Sequence, residues 1–387
     1  MRILFFCSEA IGHYLEYIHH MYMYAFHAMP NDEIIFVLPI TFREKMRYLN
    51  FPIKNNLSIL FFTVEELESY TKKNNVINKN LTRILLLKKY IKEIKPDRIF
   101  LPDIVNYIPW IMFMPFNYKI TGIEYRIPGR RAGKIKLSER LNDNLKLLIY
   151  AYSPCINNIL LLNDKEYSKL YNKRFRTSRF NFLPDPIVPI SANKSDISYL
   201  FEGRQNDTKV FLHCGGMGER KGTYTIIDAI RLLTEEERNK CMFIFAGRID
   251  VKRNSEFKRQ IEELSQIVSI RFLEGFLEFD VLSELFKNSD YVLVPYKNVS
   301  QSSGIIGHAA QYGKAVIGPE EGLLGYLIKE YKLGITVPEI NAQKLKNLIS
   351  ILIQRDTQSI DGKYYLEINT PENFAKVIYN SIIKKLI

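Results

Sequence analysis

The sequence predicts an α/β protein of two domains, each a doubly wound parallel sheet covered by helices. Three observations predict it. Short apolar runs alternate with helical patterns along the whole chain, as parallel strands joined by crossover helices require. The 387 residues exceed one ordinary domain, at roughly 150 residues each. Near the middle, Leu183-Pro-Asp-Pro-Ile187 and the polar Ser191–Asp196 interrupt regular structure. The expected domains are residues 1–190, joined by a closing helix over 370–387, and residues 191–369.

In the first half, strands are expected at Ile3–Cys7, Ile34–Leu38, Ile59–Phe62, Arg98–Leu101, Lys119–Ile123 and Ile159–Leu162. Between them Leu81, Ile84, Leu87, Ile91 and Ile94 recur at helical spacing, with Lys88, Lys89, Lys92 and Lys95 mostly on the other side. Pro96 ends that helix. The second half repeats the rhythm, with strands at Lys209–His213, Met242–Ala246, Ile270–Leu273, Tyr291–Val294 and Ala315–Ile317 and helices at Thr223–Thr234 and Phe279–Lys287. Thr370-Pro371 opens the closing helix, whose apolar positions are Phe374, Val377, Ile378 and Ile382.

Composition fits a folded, soluble protein: 47% hydrophobic and 25% charged residues, with no low-complexity run. The four cysteines, Cys7, Cys155, Cys214 and Cys241, form no Cys-x-x-Cys pair, which speaks against a zinc ribbon or a disulfide scaffold. The apolar run at the start is too short for a secretory signal, and Ile104–Phe116 is broken by Asn106, Pro109 and Pro115, so no membrane span is expected. The expected location is the cytoplasm, with peripheral binding at the inner face of the plasma membrane as an extension. Trp110–Phe116 is aromatic and Met-rich. It suits core packing, with lipid contact as the alternative.

Charge is uneven. Residues 1–195 carry 29 − 17 = +12 and residues 196–387 carry 25 − 25 = 0. One cluster contains Arg126, Arg130, Arg131, Lys134, Lys136 and Arg140, and a second runs from Lys165 through Lys169, Lys173, Arg174 and Arg176 to Arg179. Such fields attract phosphates, on a membrane or an anionic molecule. Nucleic acid is not expected, because no helix-turn-helix, zinc finger or aromatic RNA-binding motif is present. Arg126, Arg130, Arg131 and Lys134 are the candidates for holding an anionic acceptor or membrane.

Two loops of the second half suit phosphate. After the strand at 209–213 comes Cys214-Gly-Gly-Met-Gly-Glu-Arg-Lys-Gly222, where glycines allow close backbone approach and Arg220 and Lys221 supply charge. After the strand at 291–294, Ser302, Ser303, Gly304 and Ile305 sit where a helix begins, placed to cap it or grip an anion. Two such loops in one domain point to a nucleoside diphosphate.

These segments carry a resemblance. Gly215–Gly222, Phe245-Ala-Gly247, Phe272–Phe276, Ser289–Tyr296, Ser303–Gly318 and Lys332–Pro338 resemble, in order and spacing, the donor domain of retaining GT-B glycosyltransferases of the family 4-like group. The match covers roughly residues 209 to 350 and is looser in the first half, at Gly12-His13, Lys95-Pro-Asp97 and Leu183–Pro186. It implies a GT-B fold, two Rossmann-like domains facing a cleft, and a closing helix that returns to the first domain. Arg220 and Lys221 would neutralise the donor diphosphate, so that no metal or other cofactor is needed. Gly215 and Gly216 would lie in the donor loop. Gly247, Arg248 and Phe276 would border the base, and the helix from Ser303 would face ribose and phosphates.

The family usually carries two glutamates seven residues apart around that helix; here the positions are Ser300 and His308. The departure reads as altered donor geometry, a different nucleotide preference, or lost catalysis. His308 can still serve ribose or phosphate, and Glu320 and Glu321 are possible replacement acids. Gly12 and His13 follow the first strand, where His13 would touch donor phosphate or acceptor hydroxyl or simply start a helix. Glu124 would act on the acceptor or pair with neighbouring arginines. His19, His20 and His27 are expected to pack or face solvent, since no metal-ligand spacing is completed.

The expected function is transfer of a sugar from a nucleoside diphosphate sugar to a glycan or lipid-linked acceptor in bacterial surface polysaccharide synthesis. The alternatives are a catalytically silent nucleotide-sugar-binding partner of a glycan assembly complex and a nucleotide-sugar epimerase.

Overall fold

A computed structural model describes residues 1–9, 14–115, 117–131, 133, 135–191, 196–250, 253–297, 299–357 and 359–383. Gly12, His13 and Lys134, singled out above, lie outside the described residues. The chain forms two units: Met1–Ile127, Lys134–Pro186 and Asn369–Ile387 make the first, and Pro128–Gly133 with Ile187–Ile368 makes the second.

The first unit is built on seven parallel strands, β1 (Arg2–Phe6), β2 (Glu33–Leu38), β3 (Leu57–Phe61), β4 (Arg98–Leu101), β5 (Ile120–Glu124), β6 (Ile156–Leu162) and β7 (Phe180–Leu183). Their order is β3-β2-β1-β4-β5-β6-β7. Ile3 to Phe6 and Ile156 to Leu162 are buried without alternation, because helices cover both sheet faces. The helix Val76–Ile94 begins on Asn75, whose side chain accepts from the amides of Ile77 and Asn78. It ends at Lys95, left-handed at φ 52°, directly before Pro96. The helix Pro371–Ile383 groups with this unit: Phe374, Ile378, Tyr379 and Ile382 join its core, and the Tyr379 hydroxyl donates to the Met21 carbonyl at 3.0 Å.

The second unit carries β8 (Lys209–Cys214), β9 (Cys241–Gly247), β10 (Ser269–Glu274), β11 (Tyr291–Leu293), β12 (Ala315–Pro319) and β13 (Gly334–Val337), again all parallel, in the order β10-β9-β8-β11-β12-β13. Ile226, Ile227 and Ile230 of the helix Thr223–Arg231 pack into one core with Phe211, Phe243 and Leu345. Among the described residues no helix is long and apolar enough to cross a membrane.

Each sheet reverses its winding once, between β1 and β4 in the first unit and between β8 and β11 in the second. Crevices at such switch points, beyond the carboxyl ends of the strands, are where open parallel sheets bind ligands.

Candidate functional site

The second unit's switch point brings together the two loops singled out from sequence. Gly222 is left-handed at φ 71°, and a Cβ there would lie 1.9 Å from the Pro295 carbonyl oxygen, so the loop after β8 rests on the loop after β11. The Lys297 amide donates to the Arg220 carbonyl at 3.0 Å, tying the same two loops. Gly247 does the same on the other side: a Cβ would lie 1.9 Å from the Gly215 carbonyl oxygen. A Cβ on Gly215 would meet Ile305 at 3.8 Å, which sets the first turn of the helix Gly304–Gln311 beside the glycine turn. Gly216 is exposed.

Charge in this loop is arranged around one amine. Lys221 is half-buried, its Nζ 3.7 Å from the centroid of the Tyr296 ring. Burial lowers its pKa to about 7, helped by the neighbouring charge of Arg220. Arg220 itself is exposed. Glu219, the acid of the loop, is paired with Lys297 and with Arg253 at 3.3 Å. An anion arriving at Arg220 and Lys221 therefore meets cations whose nearest carboxylate is already engaged.

Behind the loop lies a relay that sequence reasoning missed. His213, buried on β8, places Nδ1 2.9 Å from the Leu293 carbonyl and Nε2 2.9 Å from Thr223 Oγ1. Thr223 Oγ1 also accepts the Gly218 amide at 2.9 Å. One proton arrangement satisfies all of these contacts: Nδ1–H donates to the carbonyl, Thr223 donates to Nε2, and Gly218 donates to Thr223. Burial keeps the imidazole neutral, with a pKa lowered to about 4. The relay joins β8, β11 and the backbone of the loop after β8. A histidine inside an apolar strand, two residues before a glycine turn, was the available signal.

The remaining donor candidates fall around this loop. Ser303 precedes the helix Gly304–Gln311 but caps none of its amides; its Oγ lies 3.2 Å from the Tyr296 hydroxyl. Plain N-capping, the alternative role considered for it, is not what the side chain does. Ser302 is half-buried and Ser300 buried. His308 lies one turn further in, its ring 6.4 Å from Phe279 and 6.2 Å from Phe286. Arg248 stands 5.2 Å from the centroid of Phe276, which is 68% exposed. Such a ring offers an apolar face to a planar base.

Several first-half expectations change. Glu124 is 1% exposed and internally satisfied: Lys146 Nζ lies 2.9 Å away, the Tyr150 hydroxyl donates at 3.0 Å and the Arg126 amide at 3.0 Å. A lysine on the helix Leu137–Tyr152, rather than the arginine side chains expected, is its charged partner. Arg130, expected in the first domain, groups with the second unit, its guanidinium 4.2 Å from the centroid of Tyr326. With Glu320, Gly322, Lys329 and Glu330 these two line an open depression of about 420 Å³. Arg131 falls in the same segment, while Arg126 stays in the first unit, so the proposed acceptor cluster is divided. Glu320, offered as a replacement acid, is paired with Lys329 at 2.7 Å. In the Trp110 patch Ile111 and Met114 are buried, whereas Met112 and Phe113 face solvent.

The first unit's own switch point carries a second group that the sequence reading passed over. Ser8 Oγ, just past β1, donates to Asp103 Oδ2 at 2.5 Å, just past β4. Arg83 pairs with Glu9 at 2.5 Å, and the Asn106 side-chain amide donates to the same Glu9 oxygen at 2.8 Å. The Tyr70 hydroxyl donates to the Ser8 carbonyl at 2.8 Å. Burial raises the Asp103 pKa to about 6, against the lowering effect of Ser8 and Arg83. Its Oδ1 is buried and has no partner among the described residues. Only the tertiary pairing of β1 with β4 reveals this group.

Among the described residues no set of three His, Cys, Asp or Glu side chains is arranged to hold a metal ion.

Comparison with known proteins gives a family match within the second unit. Residues 200–365 match the model of glycosyl transferases group 1. The match spans β8 to β13 and contains Arg220, Lys221 and His213. Among solved structures, the chain resembles WaaG, a glycosyltransferase involved in lipopolysaccharide biosynthesis, with a TM-score of 0.67, 14% identity and 100% of both chains covered. It resembles sucrose-phosphate synthase from Thermosynechococcus elongatus with a TM-score of 0.70, 13% identity and 98% of both chains covered. A UDP-GlcNAc 2-epimerase from Neisseria meningitidis, bound to UDP-GlcNAc, aligns with a TM-score of 0.59, 13% identity and 100% of both chains covered. At these identities the likeness establishes the fold, which is GT-B, with two Rossmann-like units. No curated protein sequence matches the chain.

Proposed function

We propose that the chain is a glycosyltransferase that moves a sugar from a nucleoside diphosphate sugar, held by the second unit, to a glycan or lipid-linked acceptor held by the basic first unit. The reaction is retaining and independent of metal, and it serves bacterial surface polysaccharide synthesis. The observation that carries this reading is Arg220 and Lys221 on a glycine turn at the switch point, inside the segment that matches glycosyl transferases group 1. As the sugar C1–O bond breaks, its electron pair passes to the diphosphate, the acceptor hydroxyl oxygen bonds to C1, and the hydroxyl proton goes to the departing phosphate oxygen. Two cations and the first amides of the helix Gly304–Gln311 stabilise that developing charge where other transferases use a metal. The likeness to WaaG supports a surface-glycan role.

The test is turnover of nucleotide sugars in chelator, with binding measured in parallel. Arg220→Ala and Lys221→Ala should each weaken nucleoside diphosphate binding about 10- to 100-fold, the worth of a charged hydrogen bond, while leaving nucleoside binding unchanged. Equal losses for nucleoside and diphosphate remove the two cations from the site. Activity abolished by chelator and restored by magnesium overturns the metal-independent chemistry.

A second reading rests on Ser300 and His308, which stand where the resembled group carries glutamates. Nucleotide-sugar binding without transfer or hydrolysis would make the chain a silent partner in glycan assembly. Conversion of the free nucleotide sugar to its epimer would make it an epimerase.

A further inference from the structure

The helix Leu137–Tyr152 in the first unit has two apolar faces where a surface helix ordinarily has one. Leu147, Ile149 and Tyr150 are buried in the unit. On the opposite side Leu137, Leu141, Leu145, Leu148 and Tyr152 are 71%, 61%, 48%, 46% and 60% exposed. At 3.6 residues per turn these five positions fall within an arc of about 80°. Scattered exposed leucines are ordinary, but a continuous stripe along four turns marks a surface that is covered in use.

The chemistry beside the stripe identifies the cover. Arg174, on the helix Lys165–Phe175, donates to the Asn144 side chain at 3.2 Å, and the Tyr152 hydroxyl donates to the Phe175 carbonyl at 3.2 Å, so the two helices lie side by side. This neighbour adds exposed Leu170 together with exposed Lys169, Lys173 and Arg174, and Arg140 flanks the stripe on its own helix. Glu139 falls on the far side of that helix. Glu166 is the one acid on the neighbouring helix's share of this face, against Lys169, Lys173 and Arg174, so the result is an aliphatic band edged mainly by cations.

We propose that this face docks on an anionic lipid surface, with the leucines entering the acyl boundary and the cations meeting headgroup phosphates. A second copy of the same face would set these cations against themselves. The surface differs from the arginine cluster at 126–134, which the structure divides between units, and it does not depend on the chain being a transferase.

The full chain is mixed with phosphatidylcholine vesicles, with and without phosphatidylglycerol, and separated by flotation. Binding should require phosphatidylglycerol and weaken as salt rises. Leu141→Ser/Leu145→Ser should reduce it roughly tenfold or more, and Lys169→Glu/Lys173→Glu should reduce it and flatten the salt dependence. All four positions are exposed, so the thermal midpoint and nucleotide binding should be unchanged. Failure of the parent to bind phosphatidylglycerol vesicles overturns the proposal and leaves an acidic protein as the occupant. Undiminished vesicle binding by the leucine variant also overturns it. So does a parent dimer, seen by sedimentation, that the leucine variant dissolves while vesicle binding persists.

Discussion

In the proposed donor role, Lys221 would change protonation on meeting a diphosphate. Its pKa of about 7 in the folded chain means that the amine is mostly neutral at pH 8. A diphosphate diester beside it would restore the charge. Nucleotide-sugar binding at pH 8 should therefore take up about one proton, measurable by calorimetry in buffers of different ionisation enthalpy. Lys221→Ala should abolish the uptake, and persistence of the uptake in that variant would place the titrating group elsewhere. The same shift affects stability. A lysine whose folded pKa is depressed opposes folding fully below about pH 7, and the penalty fades as pH rises towards its unfolded value. Lys221→Met should thus raise the thermal midpoint more at pH 6 than at pH 10. The residue's place on a glycine turn was legible in the sequence. Its titration was not, since that comes first from burial in the folded unit, with the charge of Arg220 adding to it.

The His213 relay ties the loop after β8 to β11 through three hydrogen bonds. Replacing His213 by Phe keeps an aromatic ring beside Phe245, whose centroid lies 5.9 Å away, but leaves the Leu293 carbonyl without its partner and Thr223 without its acceptor. Unmade buried hydrogen bonds of this kind cost about 1–3 kcal/mol each. Nucleotide-sugar affinity should fall several-fold in a chain that still folds; unchanged affinity would make the relay merely structural. The pH dependence has a definite sign. With a folded pKa of about 4, the imidazole must be neutral, so its stabilising contribution is lost as pH falls from about 6.5 towards 4. Denaturation midpoints of the parent should drop between pH 7 and pH 5, and His213→Phe should flatten that slope. At this scale the long buried strands were legible as apolar runs, whereas β7 and β13 were not. Both are edge strands, interrupted by Asn181 and Thr336, and carry only part of the apolar signal.

Across the whole molecule, the closing helix makes a separable prediction. Phe374, Ile378, Tyr379 and Ile382 are each at most 1% exposed in the first unit's core. Removing large buried side chains costs about 2–5 kcal/mol apiece, which together exceeds the roughly 5–15 kcal/mol stability of a typical domain at its lower end. Deleting residues 370–387 should unfold the first unit while the second still binds nucleoside diphosphate, read as a large loss of circular dichroism with retained nucleotide titration. Loss of both would show that the second unit cannot stand alone.

Local periodicity and spacing determined two parallel α/β sheets and the glycine turn with Arg220 and Lys221, because buried strands, crossover helices and glycine turns leave their mark within a few residues of chain. Tertiary structure decided what depends on partners distant in sequence. Glu124 meets Lys146 from the following helix, His213 bridges β8 to β11, Ser8 meets Asp103 across 95 positions, and Arg130 leaves its neighbours for Tyr326. The leucines of 137–152 belong with these: the sequence reading passed over this helix, and only packing determines which of its two apolar faces is buried.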